Sequence, residues 1–133
     1  MEKFILSDAF HIGHKKIDSD HENLVSILND MVGGYVNNDK SLCRDKWYMF
    51  CEALELHFKE EGVIMADIGF AQEIHEGGHD NILKHIRALG RDDNSLDDWE
   101  DCLYEMRNKL LSWILKEDLI FAEYLVTIEY KDD

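Results

Sequence analysis

The 133-residue sequence contains no proline and only three cysteines, Cys43, Cys51 and Cys102, without a Cys-x-x-C pair. So few cysteines, odd in number, cannot build the disulfide framework of a small secreted domain, and we predict a reducing, cytoplasmic location. The absence of proline, which breaks helices, favours long helical segments. The length suits one domain, so we predict a single domain over residues 1–133.

Basic residues are also scarce, since 14 Lys and Arg face 29 Asp and Glu and give a net charge of -15. Nucleic acids and anionic membranes would repel so acidic a chain. No apolar run approaches the roughly 20 residues of a membrane span, and the opening MEKFILSDAF lacks the layout of a signal peptide. We therefore predict a soluble globular protein that binds neither nucleic acid nor membrane.

Four segments repeat apolar residues at intervals of three and four, which is typical of amphipathic helices. The predicted seams are His21, Leu24, Leu28, Met31 and Tyr35; Cys43, Trp47, Phe50, Leu54, His57, Glu61 and Ile64; Ala71, His75, His79, Ile82, Ile86 and Leu89; and Leu96, Trp99, Leu103, Met106, Leu110, Trp113, Glu117, Ile120 and Tyr124. No strand-like alternation interrupts them.

Short connections between such segments force antiparallel neighbours, so we predict an all-α, up-down-up-down antiparallel four-helix bundle. The first helix is predicted to follow Ser19, whose spacing to Glu22 suits a capping box, and residues 1–17 form an N-terminal arm. A break is predicted at residues 67–69, and Gly90 should end the third helix.

Polar residues occupy positions on these seams where leucine would be expected. A lone histidine on an apolar face is usually a hydrogen-bonded core residue. Here, however, His57 and Glu61 lie four residues apart, as do His75 and His79, and His21 lies on the first seam. Side chains at that spacing share one helix face, and a bound metal relieves the cost of burying them. Imidazole and carboxylate ligands suit iron, manganese or zinc.

Three stretches carrying these residues resemble the hemerythrin family in its bacterial single-domain form. They are GHKKIDSDH at 13–21, HFKEEGVIM at 57–65 and HEGGH at 75–79. The resemblance implies a four-helix bundle with a non-haem di-iron centre, oxo- or hydroxo-bridged, that binds dioxygen or another diatomic ligand at one iron. It implies His21, His57, Glu61, His75 and His79 as metal ligands. We expect a protein that is not an enzyme; the sequence leaves the oligomeric state open, and we favour a monomer.

The fourth family motif is incomplete here. The family has a tryptophan, a histidine four residues later and an aspartate five beyond that, whereas this chain reads SWILKEDLIFAEYL at 112–125. Counting from Trp113 puts Glu117 at the histidine position. Matching the end of the motif instead makes Asp118 the aspartate and puts Trp113 at the histidine position. We prefer Asp118, with Glu117 as a possible substitute, and either alignment removes one imidazole beside His75 and His79.

Other polar positions are secondary. Gly77 and Gly78, between the ligands of the third helix, indicate either close helix packing, which we favour, or a mobile helix. His11, His14 and His85 lie off the seams and are predicted to be surface or supporting residues.

The leading functional hypothesis is a dioxygen carrier, store or sensor. One alternative is a di-iron protein in which the lost histidine opens a position for peroxide or nitric oxide chemistry, with oxidase- or peroxidase-like side activity. Another is a degenerate bundle that binds one metal or none and acts through protein contacts.

Overall fold

A computed structural model describes residues 1–70 and 73–132, and for residues 73–77 the backbone alone. The helices are α1 (Lys15–Val36), α2 (Lys40–Asp67), α3 (Glu73–Leu89), α4 (Leu96–Trp113) and α5 (Leu119–Thr127). A π-helical turn, Ile114–Asp118, joins α4 to α5, and a 3₁₀ turn, Asp8–Phe10, lies in the N-terminal arm. Over these ranges the chain has no strand, so the predicted all-α class is confirmed.

The helices form the predicted four-helix bundle, in which α4, the π turn and α5 act as one long fourth helix. α1 packs against α2 and α4, and α3 packs against the same two helices from the other side. The second connection falls where predicted, because α2 ends at Asp67 and Gly69 takes a φ of 78°. None of the helices in the described ranges is long and apolar enough to cross a membrane.

The first helix begins earlier than predicted, at Lys15 instead of after Ser19. Asp18 accounts for the difference, because its carboxylate accepts hydrogen bonds from the backbone N–H groups of Ile12 at 2.7 Å and Gly13 at 3.2 Å. These bonds fold the arm back onto the first turn of α1, with Gly13 at a φ of 90°. The arm is therefore shorter than predicted.

Two apolar clusters fill the bundle, and both draw residues from α1, from α2 and from the fourth helix. The smaller cluster at one end is built on Ile12, Ile17, Met65, Phe121 and Leu125. The larger one occupies the rest of the interior and includes Leu24, Leu28, Phe50, Leu54, Trp99, Leu103, Leu110 and Ile114. The gap between them is where polar side chains are buried.

All three cysteines lie in the larger cluster, and none forms a disulfide. Burial raises the pKa of Cys51 to about 11 and the pKa of Cys102 to about 12. Both side chains are therefore neutral thiols at physiological pH, and they pack as small apolar groups.

The fourth helix changes phase at the π turn. The predicted seam continues past Trp113 as Glu117, Ile120 and Tyr124, whereas the structure buries Asp118, Phe121 and Leu125. A π turn takes in one extra residue, which rotates everything after it by about 100° relative to an α-helix. This part of the predicted seam is therefore wrong by one residue.

Glycine at position 90 is required by packing, which gives a stability prediction. A Cβ atom there would overlap the ring of Trp47, and that ring is held by a 3.0 Å hydrogen bond from its Nε1 to the carbonyl of Ile86. We expect Gly90→Ala to lower the free energy of unfolding by about 1–3 kcal/mol. Chemical denaturation followed by circular dichroism measures this.

Gly33 is the matched control, because it lies within α1 and a Cβ atom there would meet nothing within 4 Å. Gly33→Ala should stabilise the protein by about 0.5–1 kcal/mol, since alanine favours the helix. Equal stability of the two variants would contradict the assigned packing of Trp47.

Candidate metal centre

Four buried side chains from three parts of the bundle meet in the gap between the apolar clusters. They are His21 from α1, His57 and Glu61 from α2, and Asp118 from the π turn, and one ligand atom of each lies within 4.8 Å of the others. His21 Nε2 is 3.0 Å from Asp118 Oδ2, and His57 Nε2 is 3.0 Å from Glu61 Oε2. None of the four residues is more than 3% exposed.

In each of the three chain segments, the polar residues lie between a residue of one apolar cluster and a residue of the other. His21 has Ile17 one turn before it and Leu24 one turn after it, and both are fully buried. Asp118 is placed in the same way between Ile114 and Phe121. On α2, Leu54 precedes His57 and Met65 follows Glu61. The polar residues therefore form one layer that apolar side chains seal on both sides.

Glu61 connects this layer to the third helix. Its Oε2 faces His57 Nε2 at 3.0 Å, and its Oε1 faces His79 Nε2 at 3.1 Å. A carboxylate with one oxygen directed at each of two imidazoles has the arrangement needed to join two metal ions. His75, the other predicted ligand of α3, lies on a helical backbone, but its side chain is outside the described part of the structure.

Aromatic rings surround His79 on the α3 side. Phe58 stacks on the imidazole with ring centroids 3.8 Å apart, and the Trp113 ring lies 5.0 Å away. A Cβ atom on Gly78 would overlap that indole, so glycine allows the close approach of α3 to the fourth helix. This contact supports the packing interpretation of Gly78.

The structure separates the two acidic candidates of the fourth motif. Asp118 is fully buried and faces His21, whereas Glu117 is half-buried and lies outside the cluster. The phase change at the π turn is the cause, since it turns position 118 inward in place of position 117. Trp113 stays inside, five residues before Asp118, where the resemblance expects a histidine.

Hydrogen bonding controls the protonation of His57. Burial by itself lowers the pKa of this imidazole, but hydrogen bonds to Asp20 and Glu61 outweigh burial and raise the pKa to about 9. Asp20 is affected in the opposite sense, because its bonds to His57 and Lys16 overcome burial and lower its pKa. Without metal the ring therefore carries an extra proton at neutral pH, which a metal ion must displace.

The remaining histidines lie away from the layer. His11 pairs with Glu22 at 3.3 Å, and His85 pairs with Glu105 at 3.2 Å, both at the surface. His14 accepts a hydrogen bond from a backbone N–H of the first turn of α1 and stacks on Tyr130.

Sequence reasoning missed Asp20, whose Oδ2 lies 3.0 Å from His57 Nδ1. Its position directly before His21 was visible in the first motif. Its contact with His57 on the next helix could not be predicted from the sequence, because that contact depends on how α1 packs against α2.

Comparison with known proteins agrees with this geometry. Residues 13–125 match the model of the hemerythrin HHE cation binding domain, so the chain belongs to the hemerythrin family. It is 27% identical over 125 residues to a bacteriohemerythrin from Clostridium acetobutylicum, and the match covers 88% of this chain and 93% of the relative. No solved structure gives a significant match.

The two acidic residues of the π turn provide a direct test of the ligand assignment. We expect Asp118→Ala to lose most of the iron that the wild type retains, because its carboxylate is in the buried layer. Glu117→Ala removes the same charge one residue away and should keep wild-type iron. Metal analysis after anaerobic loading with Fe²⁺ and desalting measures both, and the reverse order would identify Glu117 as the ligand.

Proposed function

We propose that the protein is a non-haem di-iron protein that binds dioxygen as a carrier, store or sensor, and that it is not an enzyme. The observation that carries the proposal is Glu61, whose two oxygens face His57 and His79 within a buried layer. Membership of the hemerythrin family supports it, as does the name of the bacteriohemerythrin relative. Cytoplasmic location, the monomeric state and a single domain over residues 1–133 stay predictions.

The donor set fits iron. Two imidazoles and two carboxylates within 4.8 Å, closed to solvent, form a mixed nitrogen and oxygen site of the kind that iron occupies. His21 and His57 would hold one iron and His75 and His79 the other, and Glu61 and Asp118 would contribute to both. When bound, the iron pair would supply the electrons and the coordination position for reversible binding of dioxygen.

The surrounding side chains determine what reaches this layer. Phe58 and Trp113 cover His79, while Ile17 and Phe121 close the layer from the smaller apolar cluster. These apolar and aromatic groups exclude bulk water. They carry no charge, so a small apolar molecule such as dioxygen can pass between them. Because packing holds the buried metal-binding side chains in place, they also need little rearrangement when dioxygen enters.

The proposed function is tested by spectroscopy of the whole protein. Protein loaded anaerobically with Fe²⁺ should contain two irons per chain and develop a visible absorption band on exposure to air. Part of that band should disappear under argon, because binding is reversible. Glu61→Ala is the control, since it removes the shared carboxylate and should retain little iron. A wild-type protein that stays colourless in air with two bound irons would contradict dioxygen binding.

Trp113 gives a second prediction, because it replaces an imidazole beside His79. We expect Trp113→His to bind iron more tightly and to oxidise more slowly in air. The imidazole would add a neutral nitrogen donor beside His79, and a neutral donor favours the ferrous state more than a carboxylate does. Stopped-flow absorption of reduced protein mixed with air measures the rate.

Trp113→Phe is the matched control, since it removes the indole without adding a donor and should not slow oxidation. Equal oxidation rates in Trp113→His and wild type would contradict the placement of Trp113 at the histidine position.

A further inference from the structure

Asp20 joins the first two helices at the edge of the buried layer. It precedes His21 on α1, yet its carboxylate turns toward α2, where Oδ2 lies 3.0 Å from His57 Nδ1. The Asp20 side chain is 18% exposed, so it stands between the layer and the surface. Once a metal ion displaces the extra proton, Nδ1–H still donates to this carboxylate and Nε2 directs its lone pair at the cluster.

Lys16 holds the same carboxylate from the outside. Its Nζ is 2.8 Å from Asp20 Oδ1 and 3.0 Å from Glu60 Oε2 on α2. These groups line a cleft of about 160 Å³ between α1 and α2, with His57 at its inner end. A continuous chain of hydrogen bonds therefore runs from Glu60 at the surface through Lys16 and Asp20 to His57.

The neighbouring imidazole lacks such support. His21 Nδ1 is buried and has no hydrogen-bond partner among the described residues. The rings of His21 and His57 lie 4.9 Å apart, yet of the two only His57 has a carboxylate at its Nδ1 among the described residues. The difference makes His57 the more strongly oriented donor of the pair.

We propose that Asp20 is a positioning residue that fixes the orientation of His57 for metal binding and, together with Lys16, sets how strongly this imidazole donates to the metal. The inference rests on the proposed function, because it requires a metal at the layer. A carboxylate that accepts the Nδ1 proton increases electron donation from Nε2 and so stabilises the more oxidised metal. Lys16 draws charge from that carboxylate and acts in the opposite direction.

The experiment compares four variants of the full chain, with Fe²⁺ alone as the probe under anaerobic conditions. Asp20→Ala should weaken Fe²⁺ binding by about 10–100-fold, the usual effect of losing an outer partner of a metal-bound histidine. Asp20→Asn keeps an oxygen acceptor and should restore most of the affinity. Asp30→Asn is the matched control, because Asp30 forms an exposed ion pair from α1 to Lys46 on α2 at 3.5 Å.

The reduction potential of the bound iron separates positioning from general stabilisation. Asp20→Asn should raise the potential, since it removes the negative charge behind His57. Lys16→Met should lower it, since the carboxylate then loses its cationic partner. A merely structural contact would not produce opposite shifts, and Asp30→Asn should leave the potential at the wild-type value.

Two results would overturn the inference. If wild-type protein binds iron and Asp20→Ala binds it equally well, Asp20 does not position a ligand, although the proposed function stands. Potentials that are unchanged, or that move in the same direction in Asp20→Asn and Lys16→Met, would likewise reject it. A folded wild-type protein that binds no iron would overturn both the proposed function and this inference.

Discussion

The register of the bundle depends above all on the burial of the Glu61 carboxylate. Glu61 has no exposure to solvent, and removing a carboxylate from water costs several kcal/mol unless partners on all sides compensate. His57 on its own helix and His79 on α3 are two of those partners. The requirement fixes the rotation of α2, which must present both His57 and Glu61 inward, and it fixes the height at which α3 crosses α2.

Apolar packing reinforces these constraints from both sides of the polar layer. Leu24, Leu54 and Ile114 lie on one side, while Ile17, Met65 and Phe121 lie on the other. A shift of any helix by one residue would expose apolar groups and leave charged groups in a hydrocarbon environment. The layer therefore fixes the register of the helices, because apolar contacts alone would allow one helix to slide along its neighbour.

The sequence was sufficient for the bundle and for most of the layer. The spacing of His57 and Glu61 on an apolar seam is a local property, and so is the stop at Gly90. Asp118 was harder to assign, because a constant helical period places Glu117 inward. The π turn instead places Asp118 inward and leaves Glu117 outside the layer. Asp20 was missed for a different reason, since its contact with His57 arises only when two helices pack together. Periodicity describes one helix at a time and carries no information about either effect.

The position of the three thiols has a consequence for the proposed binding of dioxygen. Reactive oxygen species attack the thiolate form of cysteine, and a pKa of about 11 leaves roughly one Cys51 in ten thousand in that form at neutral pH. All three cysteines are also shut inside the larger cluster. Partly reduced oxygen that escapes into solvent would instead meet Met49, a sulfur-containing side chain that is 46% exposed on α2. Its sulfoxide would form at the surface, where it disturbs no packing and where cellular reductases can reverse it.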